Sequence, residues 1–213
     1  MHDFVRYAPV FVHKSRRLDH VELFTGFGLA SAAGLNAYIP LLAMGLMGRY
    51  THLVTLPPGW SWLQNGWVIA IVAALLIVEI VADKVPALDS INDTVQTFVR
   101  PTAGGIVFGS GTAAQTAAVT DPGAFVHSGQ WIPVALGVIT ALTVSLTKST
   151  VRPVANVATA GVAAPVLSTL EDVASVGLVI VAVLVPVLVV VVLVALVAAA
   201  VALIRRRRRR STV

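Results

Sequence analysis

Apolar residues run nearly unbroken over 21–47, 67–85, 131–146 and 173–204. At 1.5 Å of helix rise per residue such runs approach or exceed the roughly 30 Å of a bilayer core, so each predicts a membrane-crossing α-helix. Two weaker stretches, 101–120 and 153–170, are rich in Gly, Ala and small polar residues. Between the runs lie Pro57-Pro58-Gly59 with Trp60 and Trp62 close behind, a polar stretch over 86–100, and Asp121-Pro122-Gly123. Prolines and glycines of this kind mark turns, and the tryptophans suit a headgroup belt. The expected fold is all-α, a polytopic membrane helical bundle of about six transmembrane helices. Residues 1–20 read as a basic, aromatic interfacial leader, 21–204 as a single transmembrane helical domain and 205–213 as an Arg-rich tail. Ala30-Ser31-Ala32 resembles a signal cleavage site, yet apolar residues continue past it to Met47, so the first span is expected to be retained.

Composition agrees with a membrane protein: 57% of residues are hydrophobic and 12% charged, where soluble domains carry roughly 25% charged residues. Cysteine is absent, which excludes disulfides, thiolate metal sites and cysteine nucleophiles. The net charge of +5 would suggest nucleic acid, but six of the fifteen basic residues are the run Arg205, Arg206, Arg207, Arg208, Arg209 and Arg210. Directly after an apolar helix, such a run is a cytoplasmic stop that binds anionic lipid headgroups. Six crossings with a cytoplasmic N-terminus leave only Arg49 of the fifteen bases outside, whereas a re-entrant 153–170 divides them eight to seven. The positive-inside rule therefore predicts six crossings with both termini in the cytoplasm. The final run of 32 residues is too long for one upright span, so tilt or a kink at Pro186 is expected.

An internal echo suggests duplication. Trp67 precedes Lys84 by seventeen residues, and Trp131 precedes Lys148 by the same interval; Val99-Arg100-Pro101-Thr102-Ala103 then matches Val151-Arg152-Pro153-Val154-Ala155. The second and third spans would repeat as the fourth and fifth, as transporter folds often do.

Glu79 and Asp83 lie near the end of the second run, four residues apart and thus on one helix face about 6 Å apart. Two carboxylates so close in low dielectric repel, so one holds a proton or both hold a cation. They are the candidate cation or proton site. Lys84, Asp89, Arg100, Lys148 and Arg152 fall near the same level as charge partners, with Asp93 beside them. The competing reading makes Glu79 a structural ion-pair partner of Arg100 or Arg152. The two Arg-Pro junctions also suit an anion, if each opens a helix whose first N–H groups are free; lipid-facing snorkelling of the arginines is the plainer account. Glu171 and Asp172 are expected on the outer side, either capping the last helix or forming an acidic entry. Gly26, Ala30 and Gly34, with Gly105 and Gly109, form small-residue faces for close helix packing. Asn36 and Tyr38 before Pro40 mark a broken helix or a simple proline kink. The five histidines show no metal-ligand spacing, and no catalytic motif is present, so no enzyme, metal or cofactor is expected.

Four segments carry a resemblance: the stretch from Gly28 to Leu42 containing Ala33-Gly34-Leu35-Asn36-Ala37-Tyr38-Ile39-Pro40, the stretch Glu79-Ile80-Val81-Ala82-Asp83-Lys84 reaching Asp89, Val99-Arg100-Pro101, and Ala164-Pro165 through Glu171-Asp172. Together they resemble the bacterial membrane family catalogued as domain of unknown function 4126. The resemblance implies a multi-pass protein of a bacterial cytoplasmic membrane and includes Glu79, Asp83, Lys84, Asp89, Arg100, Glu171 and Asp172 in its pattern. It implies no activity. A small-solute or ion transporter is the leading expectation, and a non-transporting scaffold or assembly factor the alternative, with the bilayer and a second copy of the chain as candidate partners.

Overall fold

The computed structural model describes residues 20–112, 129, 131–159, 163–186, 189, 191 and 195, and their side chains except at 20, 86–91, 153–156, 158 and 163. The N-terminal leader and Arg205 to Arg210 lie outside these residues. Six α-helices and one 3-10 helix are described: α1 (His20–Leu35), α2 (Tyr38–Tyr50), the 3-10 helix Pro58–Gln64, α3 (Gly66–Ala82), α4 (Pro86–Gly111), α5 (Trp131–Ala158) and α6 (Ala163–Leu184). The fold is all-α, as expected. By length and composition Trp131–Arg152 and Ala164–Leu184 can cross a membrane, and a third span results if the bent pair Pro58–Gln64 and Gly66–Ala82 counts as one.

Several helix boundaries differ from the apolar runs. The first run breaks at Asn36, whose side-chain oxygen accepts the N–H groups of Tyr38 and Ile39 and so starts a new helix. The chain also reverses there. Asn36 meets Asp172, Ala32 meets Ser175, and Thr25 meets Ala182, so α1 runs antiparallel to α6. Asn36, before α2, bonds to Asp172, whereas Leu53, past its end, lines a cavity with Val183 and Pro186, so α2 runs parallel to α6. Hence α1 and α2 form a hairpin rather than one span.

The polar stretch before Arg100 is helical, and α4 runs through Pro101. Val85 is extended, as a residue before proline should be, and Pro86 opens the helix without needing its missing N–H. Gln96 and Arg100 recur at one-turn spacing and are buried, while Val95 and Phe98 on the other face are 54% and 75% exposed. This inside-out pattern hides polar groups among helices and turns apolar ones outward, as a lipid environment favours. The stretch 153–170 is likewise no span. Its first part ends α5 at Ala158, with Thr159 in a turn, and its last part opens α6 at Ala163. Helix α6 therefore starts at Ala163 and stops at Leu184, just before Pro186, the position at which the sequence predicts a kink if the run does not tilt.

The bundle is held by small residues. A Cβ on Gly26 would meet Phe108, one on Gly34 would meet Val144 and the Ala141 carbonyl, and one on Gly105 or Gly109 would meet Val134. Ala30 is fully buried. The closest approach joins two glycines the sequence did not single out, since a Cβ on Gly137 would strike the Gly104 carbonyl. Phe108 fills the remaining space, edge-on to Phe27 at 5.1 Å between ring centroids.

The internal echo does not extend to the structure. Lys84 lies in the turn that ends α3, whereas Lys148 lies inside the continuous helix α5.

Candidate functional site

Helices α3 to α6 bring their charged residues together beside the α1–α2 break. Asp83, at the C-terminal end of α3, accepts a bond from the Asn92 amide of α4 at 2.6 Å and lies 3.2 Å from Arg152 and 3.8 Å from Lys148 of α5. Asp93 of α4 sits 3.2 Å from Arg100 and 3.5 Å from Arg152. Glu171 of α6 sits 2.8 Å from Lys148 and 3.2 Å from Arg152. The Lys148 ammonium also donates to the Leu35 carbonyl at the C-terminal end of α1, where the helix dipole favours a cation. Asp172 accepts from the Asn36 amide at 2.9 Å.

Glu79 differs from these. Its carboxylate is 3.6 Å from Arg100 Nη2, and among the described residues neither of its oxygens has a hydrogen-bond partner although both are buried. On the other side of that ion pair, Arg100 Nε and Nη2 likewise have no hydrogen-bond partner among the described residues. One turn from Arg100, the Gln96 amide contacts the Tyr38 hydroxyl, and its own oxygen Oε1 is buried without a partner.

Five carboxylates (Glu79, Asp83, Asp93, Glu171 and Asp172) thus face three cations (Arg100, Lys148 and Arg152). The cluster is acidic by two if all are ionised. Charges out of water need close partners with good geometry, and a buried carboxylate at 3.6 Å with no hydrogen bond has neither. Exposure is graded: the side chains of Glu79 and Arg100 are 1% and 0% exposed, whereas Asp93 and Glu171 reach 20% and 16%. Among the described residues no group of three or more His, Cys, Asp or Glu side chains could hold a metal ion.

Of the expected site residues, Glu79, Asp83, Arg100, Lys148 and Arg152 come together. Glu171 and Asp172 join them, which overturns their assignment to the outer side: a carboxylate 2.8 Å from Lys148 cannot lie across a membrane from it. Nor do they cap a helix, since α6 begins eight residues earlier. Lys84 stays out, exposed and bonded to the Ile80 carbonyl of its own helix. The Asp89 side chain lies outside the described residues. Neither Arg-Pro pair opens a helix, because Arg100 and Arg152 lie well inside α4 and α5. The helix N-terminus an anion site would use is therefore missing at both. Asn36 supplies a helix break and a direct partner for Asp172, and Gln96 is a site residue the sequence reasoning missed. Its signal was the one-turn spacing of Asn92, Gln96 and Arg100, legible only once 86–100 is taken as helix.

No curated protein and no solved structure matches the chain. A family described as a domain of unknown function (DUF4126) matches residues 23–206, a stretch that includes every member of the charged cluster. By that match over most of its length, the chain belongs to the DUF4126 family.

Proposed function

We propose that this protein moves a small solute or ion across a membrane, with Glu79 and Asp83 forming the site where a proton or cation is exchanged. One observation carries the proposal: Glu79 is buried, and among the described residues neither oxygen of its carboxylate has a hydrogen-bond partner. A carboxylate kept only for structure is normally well paired, because its desolvation is costly. Leaving one poorly satisfied beside a cluster with surplus acid favours a group that changes its charge state or its partner. Arg100, Lys148 and Arg152 act as the balancing charges, and Asp93 and Glu171 form the better-exposed end. The surroundings are a lipid bilayer, with anionic headgroups meeting Arg205 to Arg210, and no enzymatic chemistry is assigned.

The test is proton flux in proteoliposomes loaded with a pH-sensitive dye under an imposed membrane potential. Glu79→Gln is expected to abolish flux while purified yield and melting temperature stay near wild type. A wild-type protein that passes no ion or solute in such vesicles overturns the reading. A scaffold is favoured by a different observation, the interlocked pairs of Asp83, Asp93 and Glu171 with Arg100, Lys148 and Arg152 that tie four helices together. On that reading Glu79→Gln changes stability and nothing else.

A further inference from the structure

Asn92 bonds to Asp83 at 2.6 Å and Arg100 lies 3.6 Å from Glu79, so α3 and α4 run antiparallel. Moving one turn back along α3 reaches Glu79, and moving one turn on along α4 reaches Gln96. The two side chains therefore stand at one level. Arg100 reaches that level from a further turn along, because helical side chains lean toward the N-terminus, and it ends 3.6 Å from Glu79. Among the described residues, both Glu79 oxygens and Gln96 Oε1 are buried here without a hydrogen-bond partner. If the Glu79 carboxylate were ionised, it and Gln96 Oε1 would both be acceptors, with no hydrogen to share between them.

We infer that Glu79 and Gln96 form a proton-holding pair, in which the protonated carboxyl of Glu79 donates to Gln96 Oε1, so that the ion exchanged at this site is H⁺ rather than a metal cation. A single proton converts one orphan acceptor into a donor and satisfies the other. It also lowers the cluster's excess of carboxylates over cations from two to one. A metal cation fits less well, since no trio of metal-ligating side chains converges among the described residues and Arg100 stands 3.6 Å away with its own positive charge. The groups facing Glu79 come from every helix around it: Asp83 on its own helix, Tyr38 from α2, Arg100 from α4, Lys148 from α5 and Asp172 from α6. On release the proton passes to water at the Asp93 and Glu171 end, and Arg100 remains beside the carboxylate left behind. The inference rests on Glu79 as the exchange site and does not require transport.

The test is infrared spectroscopy of the full chain in lipid nanodiscs, titrated from neutral to alkaline pH. A protonated-carboxyl carbonyl band is expected in the wild type, absent in Glu79→Gln, and shifted to the higher frequency of a free acid in Gln96→Leu. Gln96→Asn, which keeps the amide but withdraws it, is expected to shift the band in the same direction and serves if the leucine variant does not fold. The inference is overturned if Glu79→Gln removes no band. It is also overturned if the band ignores both Gln96 variants, or if sodium raises the melting temperature of the wild type but not of Glu79→Gln. The band is observed without any flux measurement, so vesicles that pass nothing would sink the transport reading while leaving the pair intact.

Discussion

The Lys148 ammonium lies 2.8 Å from the Glu171 carboxylate, which puts a residue late in α5 and a residue a third of the way along α6 at one level of the bundle. The same ammonium holds the Leu35 carbonyl at 3.0 Å, so one side chain ties the broken end of α1 to the α5–α6 hairpin. Removing it would leave Glu171 with Arg152 as its other cation and strip the α1 terminus of its donor. Lys148→Met is therefore expected to cost about 3–5 kcal/mol, the usual loss when one partner of a buried pair is removed. Glu171→Gln, which keeps shape and hydrogen bonding, should cost less. Thermal melts of the single and double variants check the coupling: the double should lose much less than the sum, and additive losses would mean that the two groups do not act as a pair.

The glycine crossing of α4 and α5 makes a second prediction. Gly104→Val or Gly137→Val forces a side chain into the opposing backbone or Ala141, and overpacking of this kind typically costs about 1–3 kcal/mol. Gly177→Val is the control, because a Cβ there meets nothing within 4 Å. The measure is the fraction of monodisperse protein left after heating in detergent. Equal survival of all three variants would contradict the close crossing.

These relationships were legible to different degrees in the sequence. Hydropathy identified an all-helical membrane chain, and the acids at 79 and 83 and the arginines at 100 and 152 stood out because charge in apolar surroundings is rare. The boundaries were misjudged for one physical reason. Periodicity searches for apolar runs, but α4 turns its polar face inward, so its first half resembles a loop. The same burial undid the sidedness argument. Lys148 and Arg152 were counted as interfacial votes, yet their side chains are 3% and 2% exposed and neutralised by Asp83 and Glu171, so they say little about which side is cytoplasmic. Gly104 and Gly137 were overlooked because a contact between two distant glycines leaves no mark in either local sequence.

Asn36 combines two roles that substitutions can separate. Its oxygen starts α2 and its amide holds Asp172 at 2.9 Å. Asn36→Ser keeps a cap but shortens the reach to Asp172, whereas Asn36→Ala loses both. Loss of the cap alone is worth roughly 1 kcal/mol, so the alanine variant should be less stable than the serine variant by about that amount and melt at a lower temperature. Identical melting temperatures would show that the cap contributes nothing at this break.

The turn after α3 and the turn after α5 lie at the same end of the bundle, because Asp83 and Glu171 both bind Arg152. Thr51, just past α2, belongs to the other end, since α2 runs parallel to α6 and away from Asn36. The natural chain has no cysteine, so single substitutions report side directly. In sealed vesicles Lys84→Cys and Thr159→Cys are expected to react with a membrane-impermeant thiol reagent from one face, and Thr51→Cys from the opposite face. If 153–170 were instead a complete crossing, Thr159→Cys would sit within the bilayer and stay unreactive while Lys84→Cys reacted. Labelling of positions 84 and 159 from opposite faces would break the hairpin arrangement of α5 and α6, and with it the assembly of Glu171 into the charged cluster.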